Sequence, residues 1–227
     1  MIKLTYLGQS AFHFQTKGKD IILDPMISPN ESASKIDLKS LKSDYIMLSH
    51  GHGDHVSDAE FLARQNNATI ISNYEIVSWY ENKGIKGHPM NLGGKWQFDF
   101  GTVKYVTAIH SSMLPDSSYG GASGGFVVWN EETSFYFAGD TALTLDMKLI
   151  PRVCPNLDFA ILPIGDNFTM GYADAVVAAE FIQCDKIIGC HYDTFGYIKI
   201  DHDAAIKEFK NAGKELILLE IGKSIEI

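Results

Sequence analysis

Basic clusters are missing from this 227-residue chain, whose formal net charge is −9. Proteins that grip nucleic acid neutralise phosphates with a basic face, so no nucleic-acid partner is expected. Also absent is any apolar run near the roughly 18 to 20 residues that cross a bilayer. The start MIKLTYLGQSAF has no long apolar segment followed by a small-residue cleavage site. The expectation is a soluble, cytoplasmic protein without membrane association. Cysteine is scarce: Cys154, Cys184 and Cys190 are odd in number and contain no CxxC pair. That excludes a disulfide framework or thiolate zinc knuckle and leaves reduced, mostly buried thiols. Neither a GxSxG elbow nor an evident Cys/His/Asn arrangement is present, which removes covalent catalysis by serine or cysteine. With no Pro/Ser linker to mark a boundary, residues 1–227 read as one domain.

What is present is a strongly patterned chain. IKLTYL, AFHFQ and DIILDP are short β-like runs separated by glycine or lysine-glycine turns. KWQFDF, TVKYVTAIH, GGFVVWN and SFYFAGD repeat that organisation later. Helical patterns occupy DAEFLARQNN, YEIVSWYENKG, LDMKLIPRV, YADAVVAAEFIQ and HDAAIKEFKNAG, the last closing on a glycine cap. DYIMLSH, ATIIS, DFAILPI and KIIGCH are apolar strands that alternate with these helices. The order is a meander followed by β/α units, twice over. It specifies an α/β (α+β) architecture of two sheets face to face with helices outside.

The densest chemistry lies in SHGHGDHVSD, residues 49 to 58. His50 and His52 follow an apolar strand, and residues two apart in an extended segment point the same way, so both can reach one cation. Gly53 precedes a turn into a helix, which re-aims Asp54 and His55 toward a neighbouring point. Three further candidates each follow an apolar β-like run: His110, Asp140 and His191. Side chains emerging from buried strands sit at the rim of a sheet, where sites are built. Imidazole with carboxylate suits Zn²⁺ first and also accepts Mn, Ni or Fe. Asp24, which ends the strand of DIILDP before Pro25, is expected to orient the imidazoles as a buried carboxylate. His13 alternates with Phe12 and Phe14 and reads as a structural residue on the opposite face of its strand. His88, in a loop, and His202, near a helix start, are also expected to be structural.

These residues resemble the metallo-β-lactamase superfamily, whose HxHxDH motif is matched by His50-Gly51-His52-Gly53-Asp54-His55. HPMNLGG, AIHSSM, GGASGGF, FAGDTAL, LPIGDNFTMG and CHYDTF are similar to segments of one branch, the uncharacterised metal-dependent hydrolases related to ascorbate-6-phosphate lactonase. The resemblance covers nearly the whole chain and implies a four-layer αββα sandwich with the site at one edge of the sheets. It further implies that His50, His52 and His110 hold a first divalent ion, that Asp54, His55 and His191 hold a second, and that Asp140 bridges them. Gln9 departs from the pattern, since relatives commonly have LGH where this chain has LGQ. Asp166, Asn167 and Thr169 would approach the pocket by analogy.

Two cations about 3.5 to 4 Å apart hold a bridging hydroxide as nucleophile and stabilise the developing charge, with Asp54 or Asp140 accepting a proton. The expected activity is hydrolysis of an ester, lactone, thioester or phosphoester bond in a small molecule. The competing readings are an iron-containing member acting on persulfide or oxygen, a nuclease and a non-enzymatic binding module. A complete second ligand set weighs against a mononuclear iron site, and the acidic charge against a nuclease. Oligomeric state is open, and a homo-oligomer is compatible with everything above.

Overall fold

The computed structural model describes residues 2–227. Two seven-stranded sheets face each other. The first begins with the meander β1 (Lys3–Gly8), β2 (Ala11–Thr16) and β3 (Lys19–Leu23). It continues through the parallel strands β4 (Tyr45–Met47), β5 (Thr69–Asn73) and β6 (Gly87–Met90). Helices α1 (Gly53–Val56), α2 (Ala59–Asn66) and α3 (Tyr74–Glu81) connect those strands. The second sheet repeats the plan: β7 (Lys95–Phe98), β8 (Gly101–Thr107), β9 (Gly124–Trp129) and β10 (Ser134–Phe137) are antiparallel. They lead by way of α4 (Ile150–Val153) into the parallel strands β11 (Phe159–Pro163), β12 (Lys186–Cys190) and β13 (Glu215–Ile217). Helices α5 (Tyr172–Phe181) and α6 (His202–Asn211) separate the last three, and β14 (Ser224–Glu226) returns to pair with β1.

The apolar strands are buried on both faces, and the period of two divides them cleanly. Ile21, Leu23, Met47, Ile71, Phe135, Phe137, Phe159, Ile161 and Ile188 point between the sheets and form the central core. Their chain neighbours Ile22, Ile46 and Ile70 point outward against Leu62, Ile76, Val77 and Tyr80 of α2 and α3. On the other side Tyr136, Ala160, Leu162 and Ile187 meet Ala175, Ala178, Ala179 and Phe209 of α5 and α6. These are the four layers, αββα. Each fully buried large side chain contributes about 1.5–3 kcal/mol of transfer free energy.

Three strands escaped the sequence reading. β13 and β14 are three residues each, and β6 carries Gly87 and Pro89, so none shows an alternating run. His88 therefore lies in β6 rather than in a loop, its ring packed on Trp96 and Phe98. His13 holds Asp20 at 2.8 Å while Phe12 and Phe14 enter the core, as the alternation implies.

Candidate metal centre

Five strand ends converge at one edge of the two sheets. Asp24 follows β3, the HxHxDH stretch follows β4, His110 follows β8, Asp140 follows β10 and His191 follows β12. Parallel α/β sheets present their ligand sites at such carboxyl ends, where side chains leave the sheet but the backbone is still fixed. The edge is pinned across the sheets. Ser49 O accepts from Gly124 N (3.1 Å) and from the Tyr105 hydroxyl (2.8 Å), and Gln9 O accepts from His191 N (2.8 Å).

Asp140 is the hub. Its Oδ2 lies 3.1 Å from His191 Nε2, 3.2 Å from His55 Nε2, 3.5 Å from His110 Nε2 and 3.9 Å from His50 Nε2. His50, His52 and His110 offer donor atoms within 4.8 Å of one another, and so do Asp54, His55, Asp140 and His191. All seven residues singled out in the sequence thus meet, in two adjoining groups that Asp140 Oδ2 brings together. His50 Nε2 and His52 Nδ1 are 3.1 Å apart, near the separation of about 3.4 Å that two nitrogens take on one tetrahedral zinc.

The donor set fits cations. Among the described residues, Asp140 Oδ1 is buried without a hydrogen-bond partner, and His55 Nε2, 3.2 Å from Asp140 Oδ2, makes no aligned hydrogen bond, a cost that a bound ion removes. Burial above all holds His50 well below the ordinary histidine range, with His55 nearby adding to it, and burial likewise lowers His52 and His110. These three imidazoles are therefore neutral, as ligands must be. Burial would raise the carboxyl groups of Asp54 and Asp140, but His55 and His191 outweigh it and hold both well below the usual carboxylate range. The same contacts act in reverse on the imidazoles. Burial would depress His55 and His191, but Asp140 and the other carboxylates raise His55 well above its ordinary value and His191 to about 9.

Asp24 orients two of the imidazoles at once. Its fully buried carboxylate accepts from Ser49 N (2.7 Å), Ser49 Oγ (2.5 Å) and His55 Nδ1 (2.8 Å). With its proton given to Asp24, Ser49 Oγ can accept from His50 Nδ1 at 3.0 Å. Both rings are thus fixed with Nε2 toward Asp140, the arrangement by which carboxylates set the tautomer of ligating histidines. Ser49 went unnoticed in the sequence, where a serine before a histidine carries no signal.

Gln9 is fully buried and donates from Nε2 to Asp54 Oδ2 at 3.0 Å. It therefore steadies a proposed ligand from the position at which the family resemblance leads one to expect a histidine. Gln9, Asp24 and His191 adopt φ of 52°, 38° and 55°. Left-handed non-glycine residues cost of order 1–3 kcal/mol each and cluster where a site imposes them.

A cavity of about 820 Å³ opens onto the centre. His52, Asp54, His110, Asp140 and His191 form its floor, and Ser111, Phe168, Thr194, Phe195, Gly196 and Tyr197 its walls. The GDNFTMG segment thus contributes Phe168 rather than the residues expected by analogy. Asp166 and Asn167 line a neighbouring cleft, and Thr169 hydrogen-bonds to Met170 O. The reason is local: Asp166 and Asn167 take φ of 62° and 56° in a turn closed by Gly165 and Gly171, which turns their side chains aside.

The profile of the beta-lactamase superfamily domain matches residues 19–192, from β3 through the last of the converging strand ends. This chain belongs to that superfamily. Within it, a metal-dependent hydrolase from Flavobacterium johnsoniae is 57% identical over 226 residues, covering 100% of both chains. One from Methylacidiphilum infernorum is 45% identical over 225 residues and 99% of each. The solved structure of a metallo hydrolase from the archaeon Ignicoccus hospitalis superposes with a TM-score of 0.90 at 31% identity, over 99% of this chain and 97% of that one. The chain is a metal-dependent hydrolase of the metallo-β-lactamase fold. No helix among the described residues is long and apolar enough to cross a membrane.

Proposed function

We propose that this metallo-β-lactamase-superfamily hydrolase cleaves an ester, lactone, thioester or phosphoester bond of a small molecule at a dinuclear centre, with zinc the first choice. His50, His52 and His110 would hold one ion, Asp54, His55 and His191 the other, and Asp140 would contact both. The supporting observation is the single oxygen Asp140 Oδ2 set among four imidazole nitrogens, with Asp140 Oδ1 buried and unpartnered among the described residues. Bound together, the ions supply activation of water near neutral pH and stabilisation of developing negative charge.

The chain's own groups divide the remaining work. Asp54 lines the cavity and, kept anionic by its histidine neighbours, would accept a hydrogen bond from the attacking water and orient it. Gln9 donates to Asp54 Oδ2 and steadies that carboxylate. The proton lost by water ends on the departing oxygen or sulfur, so water adds across the scissile bond with no oxidant or reductant. Asp140 is nearly enclosed and holds the two groups of donors together.

Elemental analysis of anaerobically purified protein, with activity profiling after zinc, manganese, nickel or iron loading, tests the proposal. About two ions per chain are expected, falling in His50→Ala/His52→Ala and in His191→Ala. Chelation should lower the melting temperature, because an ion bound at 100 times its Kd adds about 2.7 kcal/mol to stability. One ion per chain would defeat the dinuclear centre. Redox-active iron without hydrolysis of any lactone, thioester or phosphodiester would favour the oxidative chemistry instead.

A further inference from the structure

The cavity walls select among those bond types. Above the floor of proposed ligands they present three aromatic rings, from Phe168, Phe195 and Tyr197, with Ser111 and Thr194 also in the lining. Among the described residues, no lysine or arginine lines the cavity. The whole chain has two arginines, and Arg64 is engaged by Glu60 and Lys83 O on α2's exposed side. Lys199 lies just beyond the wall loop but lines the neighbouring cleft with Asp166 and Asp201. Phosphate and carboxylate groups are ordinarily gripped by guanidinium or ammonium groups. Here any charge on the substrate's body, away from the floor, would be desolvated against rings without a partner.

Those rings are unusually open to solvent for their size. Tyr197 is 80% exposed, Phe168 49% and Phe195 39%. Phe168 and Tyr197 come from different loops, yet their rings meet edge-to-face at 6.2 Å. Such paired surfaces receive a third ring or an alkyl body. The loop that carries Phe195 and Tyr197 is also held in place. Asp193 accepts from Ile200 N at 3.1 Å and lies 2.6 Å from His202 Nε2, closing residues 193 to 202 into a strap.

We infer that the substrate is a neutral carboxylic ester or lactone whose body carries an aromatic ring or comparable apolar group, seated among Phe168, Phe195 and Tyr197. This rests on the hydrolase reading above and narrows it. Water's oxygen bonds to the carbonyl carbon, the bond from that carbon to the alcohol oxygen breaks, and the proton lost by water ends on the departing alcohol.

The test compares 4-nitrophenyl butyrate, methyl butyrate and bis(4-nitrophenyl) phosphate on zinc-loaded wild type and on Phe195→Ala/Tyr197→Ala. Binding of uncharged 3-phenylpropanol is measured alongside by calorimetry, as a readout independent of turnover. Wild type is expected to favour the aryl ester over the phosphodiester by more than a hundredfold in kcat/KM. The double variant should raise KM for the aryl ester and weaken phenylpropanol binding about tenfold, while KM for methyl butyrate moves less than twofold. Equal use of the phosphodiester, or aryl-ester KM and phenylpropanol binding unmoved by the variant, overturns the inference. If no compound is hydrolysed but phenylpropanol binds and the variant weakens it, the seat for the apolar body stands and the hydrolase reading falls. A circular dichroism spectrum and an ion content equal to wild type establish that the variant is folded.

Discussion

Replacing Asp24 by asparagine changes no volume, yet it should disable the centre. The carboxylate accepts three donors: Ser49 N on Oδ1, and Ser49 Oγ with His55 Nδ1 on Oδ2. An amide has one oxygen. With its NH₂ in place of Oδ1 it confronts a backbone N–H that cannot turn away. With its NH₂ in place of Oδ2, Ser49 Oγ can rotate to accept, but His55 must give up the proton on Nδ1. That histidine then becomes protonated on Nε2, the atom facing Asp140 at 3.2 Å, and can no longer offer it to an ion. Loss of a charge-assisted buried hydrogen bond costs about 1.5–3 kcal/mol, and loss of an orienting carboxylate typically weakens metal affinity about 10- to 100-fold. The expected outcome is a 10- to 100-fold weaker zinc affinity by chelator competition, larger for the ion proposed at His55 than for the one proposed at His50. Affinity within twofold of wild type for both ions would refute the orienting role of Asp24.

One further substitution and one labelling experiment read the packing of the same fold. Gly139 has φ of +61°, and an added Cβ would sit 2.5 Å from Ser49 Cβ and 2.8 Å from Ser49 Oγ. Gly139→Ala should therefore cost about 1–3 kcal/mol and lower the melting temperature by roughly 2–12 °C, and an unchanged melting curve would refute the close packing. Burial pushes the Cys184 thiol up to about 11, and raises Cys190 and, less deeply buried, Cys154. A thiol at 11 is only about one part in a thousand ionised at pH 8, so a disulfide chromophore should label Cys154 alone in native protein and three thiols in denaturant. Rapid native labelling of Cys184 or Cys190 would contradict their burial.

The sequence carried the centre better than it carried the cavity, for a physical reason. The proposed ligands announce themselves by residue type: imidazoles and carboxylates crowded into residues 50 to 55 are costly unless something holds them, and His110, Asp140 and His191 share one placement after an apolar strand. The sheets were legible for a similar reason, because Ile46/Met47 and Ile70/Ile71 divide between two apolar layers only if both strand faces are covered. The walls have no such signature. Phe195 and Tyr197 resemble any exposed aromatics until the Asp193–His202 strap sets them over His191, and Phe168 rather than Asp166 faces the centre because of a left-handed turn that no local pattern marks. Ser49 and Gln9 illustrate the intermediate case. Both are ordinary polar residues whose importance comes from what lies across the fold, Asp24 and Asp54, at 25 and 45 residues' separation. Chemistry at the floor was thus written locally, while substrate choice depends on loops assembled from distant segments, and it is at those loops that members sharing this metal centre are free to diverge.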